Sequence, residues 1–172
     1  DQLIKVAAER VLRAAPKIER PEGLYEEFCA RFPFEETEDQ LGAIEDIFGD
    51  LMRGTPMDRL VCGDVGFGKT EVALRGAFAT VMTGSQVAVV APTTLLCRQH
   101  YKTFTDRFAG LPVKVRQLSR LVNTAEATAT REGLSNGQVD IVIGTHALLG
   151  KMIAFMNLNL LVIDEEQHFG VV

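Results

Sequence analysis

Eight consecutive residues leave this chain few architectures to choose from. Gly63-Asp64-Val65-Gly66-Phe67-Gly68-Lys69-Thr70 satisfies G-x-x-x-x-G-K-[ST] at every fixed position. The apolar run Arg59-Leu60-Val61-Cys62 before it reads as a strand, and Lys69 to about Met82 reads as a helix. A glycine-rich loop between a strand and a helix N-terminus gathers backbone N–H groups at the positive end of the helix dipole, which suits phosphate oxygens. Glycines are needed because the loop turns tightly and a Cβ would hold the anion off. In that setting Gly63, Asp64, Val65, Gly66, Phe67 and Gly68 form the cradle, Lys69 reaches the β- and γ-phosphates, and the Thr70 hydroxyl binds Mg²⁺. The alternative, a glycine-rich turn with a surface lysine, does not account for the strand before the loop or the helix after it.

The rest of the chain alternates in the same way. A helix is expected from about Thr37 to Met52. The strand Gln86 to Ala91 precedes a helix over Leu95 to Phe108, and Val113 to Arg116 precedes a helix over about Thr124 to Leu134. Strands Asp140 to Ile143 and Leu160 to Ile163 follow. Short Val/Ile-rich strands separated by helices predict an α/β fold, a parallel sheet with helices on both faces. Upstream, Leu3, Ile4, Ala7, Ala8, Val11, Leu12 and Ala15 fall at helical spacing and Pro16 ends the pattern; Leu24 to Ala30 forms a second helix. The expected organisation is connector helices over residues 1–31 and one lobe over 32–172.

At 172 residues and 47% hydrophobic, the chain can bury a core without disulfides or structural metal. Cys29, Cys62 and Cys97 form no C-x-x-C pair, which suggests neither a disulfide framework nor a zinc site and fits a cytoplasmic protein. No apolar run is long enough to span a bilayer, so no membrane partner is expected. The net charge of -5 is no signature of a nucleic-acid binder. Its distribution is uneven: eleven acids lie between Glu19 and Asp50, while Arg98, Lys102, Arg107, Lys114, Arg116 and Arg120 face only Asp106 in their stretch. These are either solvated surface charges or one basic face on an acidic chain.

Nucleotide hydrolysis also needs a carboxylate at the end of another buried strand to hold Mg²⁺, and a neighbour to orient water. Leu160-Leu161-Val162-Ile163-Asp164-Glu165-Glu166-Gln167 supplies Asp164 for the metal and Glu165 for the water, with Gln167 in the same motif. Before the phosphate loop, Phe34 offers a stacking face and Gln40 an amide that can pair with the N6 and N7 edge of adenine, which would select ATP over GTP. Thr37, in the same T-x-x-Q pattern, is a further nucleotide-binding candidate and serves equally well as a helix N-cap. Three clusters follow strands: Pro92-Thr93-Thr94 leading into Arg98-Gln99-His100, Ser119-Arg120, and Gly144-Thr145-His146. Loops after parallel strands share one rim, where hydroxyls, amides and bases can hold DNA phosphates, although each cluster is also an ordinary loop or cap. His100, His146 and His168 lack metal-ligand spacing and read as structural or DNA-facing.

The order of these motifs resembles superfamily 2 helicases: Phe34 to Gln40 as the Q-motif, Gly63 to Thr70 as motif I, Pro92 to Tyr101 as motif Ia, Ile143 to Leu149 as a DNA-contact motif and Asp164 to Gln167 as motif II. Within that superfamily, Phe34 to Gln40, Asp58 to Ala73 and Asp164 to Val171 look like the transcription-repair coupling factor family, with RecG-like fork-remodelling helicases as the nearest relatives. His168 stands where that family's pattern usually has Arg. The resemblance implies a RecA-like ATP-binding lobe of a motor that walks on double-stranded DNA and pushes stalled RNA polymerase. RNA polymerase and nucleotide-excision repair proteins would be met through other domains, and a second RecA-like lobe would bring an arginine finger. A lobe ending soon after motif II is then expected to be nearly inactive by itself. Two other functions compete: a fork-remodelling helicase, and a nucleotide-binding switch that shares the phosphate loop but ignores DNA.

Overall fold

Among the described residues the element order follows the sequence pattern closely. The computed structural model describes residues 16–54 and 68–164. The predicted helix over Asp1 to Ala15, the strand Arg59 to Cys62, Gly63 to Phe67, and Glu165 to Val172 lie outside the described residues. The chain forms two compact units, one up to Thr83 and one from Gly84.

Among its described residues the first unit holds three helices, α1 (Leu24–Ala30), α2 (Glu38–Met52) and α3 (Lys69–Met82). Ile44, Ile47, Phe48 and Leu51 give α2 one buried stripe at helical spacing. By contrast α3 is buried on nearly every side, from Glu71 to Val81. Although α1 falls in the stretch read as a connector, it packs on both other helices: Phe28 stacks on Phe78 at 4.4 Å and Tyr25 meets Phe48 edge-on at 5.3 Å. Arg20 reaches Glu45 at 2.6 Å and lies 4.1 Å over the Phe48 ring.

The described residues of the second unit form a four-stranded parallel sheet, β1 (Gln86–Val90), β2 (Val115–Leu118), β3 (Ile141–Gly144) and β4 (Leu158–Ile163), in the order β2-β3-β1-β4. Helix α4 (Thr94–Arg107) joins β1 to β2, and α5 (Thr124–Asn136) joins β2 to β3. The two crossovers run in opposite directions, so the right-handed rule places α4 and α5 on opposite faces. Ala88, Val90, Leu118 and Val142 share one face and pack with Leu134 of α5, Val139 and Leu148. On the other face Val87, Val89, Ile141 and Ile143 are buried, and α4 contributes the buried Cys97 and Phe104. Gln86 ties three connections together, donating to the carbonyls of Leu134 and Val139 and accepting from Asn157 N–H, each at 2.9 Å.

Strand β2 starts two residues later than predicted. Pro112 has no N–H, Val113 N–H turns back to Leu111, and Lys114 N–H goes to the Asp140 carboxylate at 2.8 Å, so the ladder can begin only at Val115. A short 3₁₀ helix, His146–Leu149, is an element the periodicity did not show. None of the described helices is long and apolar enough to cross a membrane.

Candidate nucleotide and nucleic-acid site

The first unit carries the end of the phosphate loop. Gly68 has φ 79 and caps α3, a left-handed backbone that L side chains rarely adopt. A Cβ there would lie 1.8 Å from Gln40 Nε2, so the Gln40 amide rests directly on the loop backbone. Lys69 and Thr70 follow as the first helical residues, Lys69 exposed and Thr70 half-buried. Thr37 is an N-cap in a full capping box: its Oγ1 accepts from Gln40 N–H at 3.1 Å, and its own N–H donates to Gln40 Oε1 at 2.7 Å. An amide oxygen has two lone pairs and Nε2 two hydrogens, so the capping role leaves Gln40 further bonding capacity. Phe34 is 72% exposed, with its ring edge-on to Phe32 at 5.7 Å.

Sequence reasoning missed what holds this segment. Arg75 is buried in α3, donates from Nε to Glu71 Oε1 at 2.8 Å, and pairs through Nη2 with Glu36. Its guanidinium also lies 5.8 Å from the Phe32 ring centroid. Burial alone would pull the Arg75 pKa down; the hydrogen bonds to Glu36 and Glu71 outweigh it and raise it above the ordinary arginine value. The hydrogen bond from Arg75 in turn holds Glu36 below the usual glutamate value. The Glu71/Arg75 spacing of four was visible as a helical pair, but nothing local showed that it would be buried.

The second unit gathers the other candidates at one rim. Ala91 N–H donates to Gly144 O and Asp164 N–H to Val90 O, so the chain after β1, β3 and β4 leaves the sheet side by side. Thr93 caps α4 by accepting from Leu96 N–H at 3.2 Å, with Thr94 next to it. Ser119 Oγ accepts from Leu121 N–H and from the Gln117 amide. Thr145 makes no side-chain cap bond. A Cβ on Gly144 would lie 2.6 Å from Leu118 O, which is why β2 and β3 can close up just before Thr145 and His146. Arg98, Gln99, Arg120 and His146 are exposed. Arg107 is buried, which removes it from any basic face, and Lys102 pairs with Asp106 at 2.9 Å.

His100 does something other than face outward. Its Nε2 lies 2.6 Å from Asp164 Oδ2, with both side chains mostly buried, so the ring addresses the candidate metal carboxylate. Among the described residues no group of three His, Cys, Asp or Glu side chains is placed to hold a metal. Cys29 and Cys97 are free thiols pushed up by burial, which makes both poor nucleophiles. Glu165 and Gln167 lie outside the described residues.

A parallel sheet of this order with helices on both faces is the frame of a RecA-like lobe of the helicase type. The chain belongs to the DEAD/DEAH box helicase family, whose model matches residues 37–172. It is 54% identical to the transcription-repair-coupling factor of Rickettsia bellii over 98% of its own length and 15% of that protein, and 51% identical to that of Bacillus subtilis over 99% and 14%. It thus spans about 15% of the length of these relatives. A solved structure of RecG bound to a three-way DNA junction superposes with a TM-score of 0.86 at 36% identity, over 98% of this chain and 23% of that one. A hypothetical ATP-dependent RNA helicase from Sulfolobus tokodaii, at TM-score 0.63 and 22% identity over 84% of this chain and 41% of that one, shares the fold.

Proposed function

We propose that this chain is the ATP-binding lobe of a double-stranded DNA translocase that couples ATP hydrolysis to displacing stalled RNA polymerase in transcription-coupled repair. The observation that carries the reading is the contact of Gln40 with Gly68 at the head of the helix that begins Lys69-Thr70, which supports a base-reading role for the Gln40 amide beside a phosphate-binding loop. Lys69 would neutralise the β- and γ-phosphates, and Thr70 and Asp164 are the residues that would hold Mg²⁺. When bound, the ion would supply positive charge to the phosphoryl group, while Glu165 would orient the attacking water, with Gln167 in the same motif. Thr93, Thr94, Arg98, Gln99, Ser119, Arg120, Thr145 and His146 grip the DNA backbone without reading sequence. His100, bonded to Asp164, serves that carboxylate more directly than it serves DNA.

A second RecA-like lobe completes the motor with an arginine finger, a contribution worth roughly 10³–10⁵ in rate. RNA polymerase and nucleotide-excision repair proteins bind through other domains of the full-length protein. A fork-remodelling helicase is the alternative, supported by the RecG likeness; identity of 54% against 36% favours the coupling-factor reading. Isothermal titration tests the nucleotide site: Mg-ATP should bind the wild type and bind Lys69→Ala far more weakly, and equal affinities would refute the assignment. DNA-stimulated turnover by the full-length protein, with little turnover by residues 1–172 alone, separates a motor from a nucleotide switch. A full-length protein indifferent to DNA would leave only the switch.

A further inference from the structure

We propose that Arg75 and Glu36 are positioning residues for base specificity: they fasten the segment 32–37 to the helix that begins Lys69-Thr70, and so aim Phe34 and Gln40 at the nucleotide base. This rests on the reading of Phe34 and Gln40 as base-reading groups. It adds two residues that would touch no part of the nucleotide.

The geometry is a relay of single contacts. Glu71, one turn before Arg75 on α3, takes the guanidinium Nε at 2.8 Å and fixes the plane of the fork. With that plane set, Nη2 meets Glu36, thirty-nine residues away in sequence. The same guanidinium lies 5.8 Å from the Phe32 ring, which meets Phe34 edge-on at 5.7 Å. Arg75 therefore holds the segment at two points, Phe32 and Glu36, and Phe34 lies between them. The residue after Glu36 is Thr37, whose N–H is bonded to Gln40 Oε1. Each base-reading side chain is thus a short series of contacts from the guanidinium, and the guanidinium belongs to the phosphate-binding helix.

Stability alone does not explain this network. Taking charges out of water is expensive, and well-packed apolar residues of similar volume commonly serve a core as well or better. What a buried, forked ion pair adds is one arrangement in place of several. The arrangement selected here sets the distance from base readers to phosphate loop, the quantity that matters for recognising a base attached to a phosphate chain. The side chain of Arg75 is 4% exposed and that of Glu71 3%, whereas Glu36 is 28% exposed. Glu36 can therefore be altered with little risk to folding.

The test measures ATP and GTP affinity by competition titration on the wild type, Gln40→Ala, Glu36→Ala, Glu36→Gln and Arg75→Lys, with inorganic tripolyphosphate as a phosphate-only probe. In the wild type ATP should be favoured at least about tenfold, as paired hydrogen bonds to a base allow. Gln40→Ala, Glu36→Ala and Arg75→Lys should each bring that ratio to about twofold or less, while tripolyphosphate binding stays within about twofold of wild type. Glu36→Gln keeps an oxygen acceptor for Nη2 and should recover part of the discrimination. If Gln40→Ala removes discrimination and Glu36→Ala and Arg75→Lys do not, the positioning role is wrong and the base reading stands. If Gln40→Ala leaves discrimination intact, the base reading itself fails and the proposal falls with it. Equal losses for ATP, GTP and tripolyphosphate in the Glu36 and Arg75 variants would show a merely structural network and overturn the proposal.

Discussion

In the first unit the central cation is buried: the Arg75 side chain is 4% exposed and held by Glu71, Glu36 and the Phe32 ring. In the second unit the candidate DNA-gripping residues, Arg98, Arg120 and His146, stand exposed on the helix and loops that follow the strands. The difference matches the two kinds of recognition proposed for the two units. A base and its phosphates must be met at fixed distances, which favours groups locked before the ligand arrives. A DNA backbone is a repeating line of charge, which mobile surface cations can follow and which salt can compete away. His100 and Asp164 combine features of both, a well-packed pair placed at the exposed rim.

The largest expected effect comes from breaking the buried side of that contrast. Arg75→Ala strips Glu71 and Glu36 of their shared partner, and loss of one member of a buried pair costs about 3–5 kcal/mol. Urea unfolding followed by circular dichroism should show it, and a cost below about 1 kcal/mol would mean that the network is no lock at all. Thr37→Ala removes the cap on α2 and should cost about 1 kcal/mol in the same experiment. Because Gln40 shares that capping box, the variant should also weaken the preference for ATP, and an unchanged preference would separate the cap from the base reader.

Arg98→Ala and Arg120→Ala are expected to leave stability within about 0.5 kcal/mol. Each should lower the slope of log affinity for duplex DNA against log salt by about 1, measured on the full-length protein by fluorescence anisotropy. A slope that does not change would remove that residue from the DNA surface. The smallest effect concerns acid. Glu36 titrates below the ordinary glutamate value of 4.5 because Arg75 donates to its carboxylate. Its contribution to stability is therefore full above that value and is lost as pH falls through the lower folded-state pKa. Wild type should lose slightly more stability than Glu36→Gln between pH values of about 5 and 3, slightly because the carboxylate is partly exposed and solvent screens the pair. Parallel losses in the two proteins would show that Glu36 carries no such linkage.

The sequence by itself determined the kind and order of the described elements. The α2 stripe Ile44, Ile47, Phe48, Leu51, the Thr37 cap and the Gly68-Lys69-Thr70 helix start are all signals that act within a few residues, where backbone geometry and periodicity decide the outcome. The register of β2 was legible only to within two residues, because the group that claims Lys114 N–H is Asp140, twenty-six positions on. Tertiary structure alone decided which charges lose their water. Arg107 reads like its basic neighbours and is buried; His100 reads like a rim residue and bonds Asp164, sixty-four residues away; Arg75 reads like half of a surface helical pair and instead joins two distant segments. The physical reason is that desolvation and pairing belong to contacts between segments, whose partners are chosen when the chain packs, so the same side chain in the same local pattern can end as solvated charge or buried clamp.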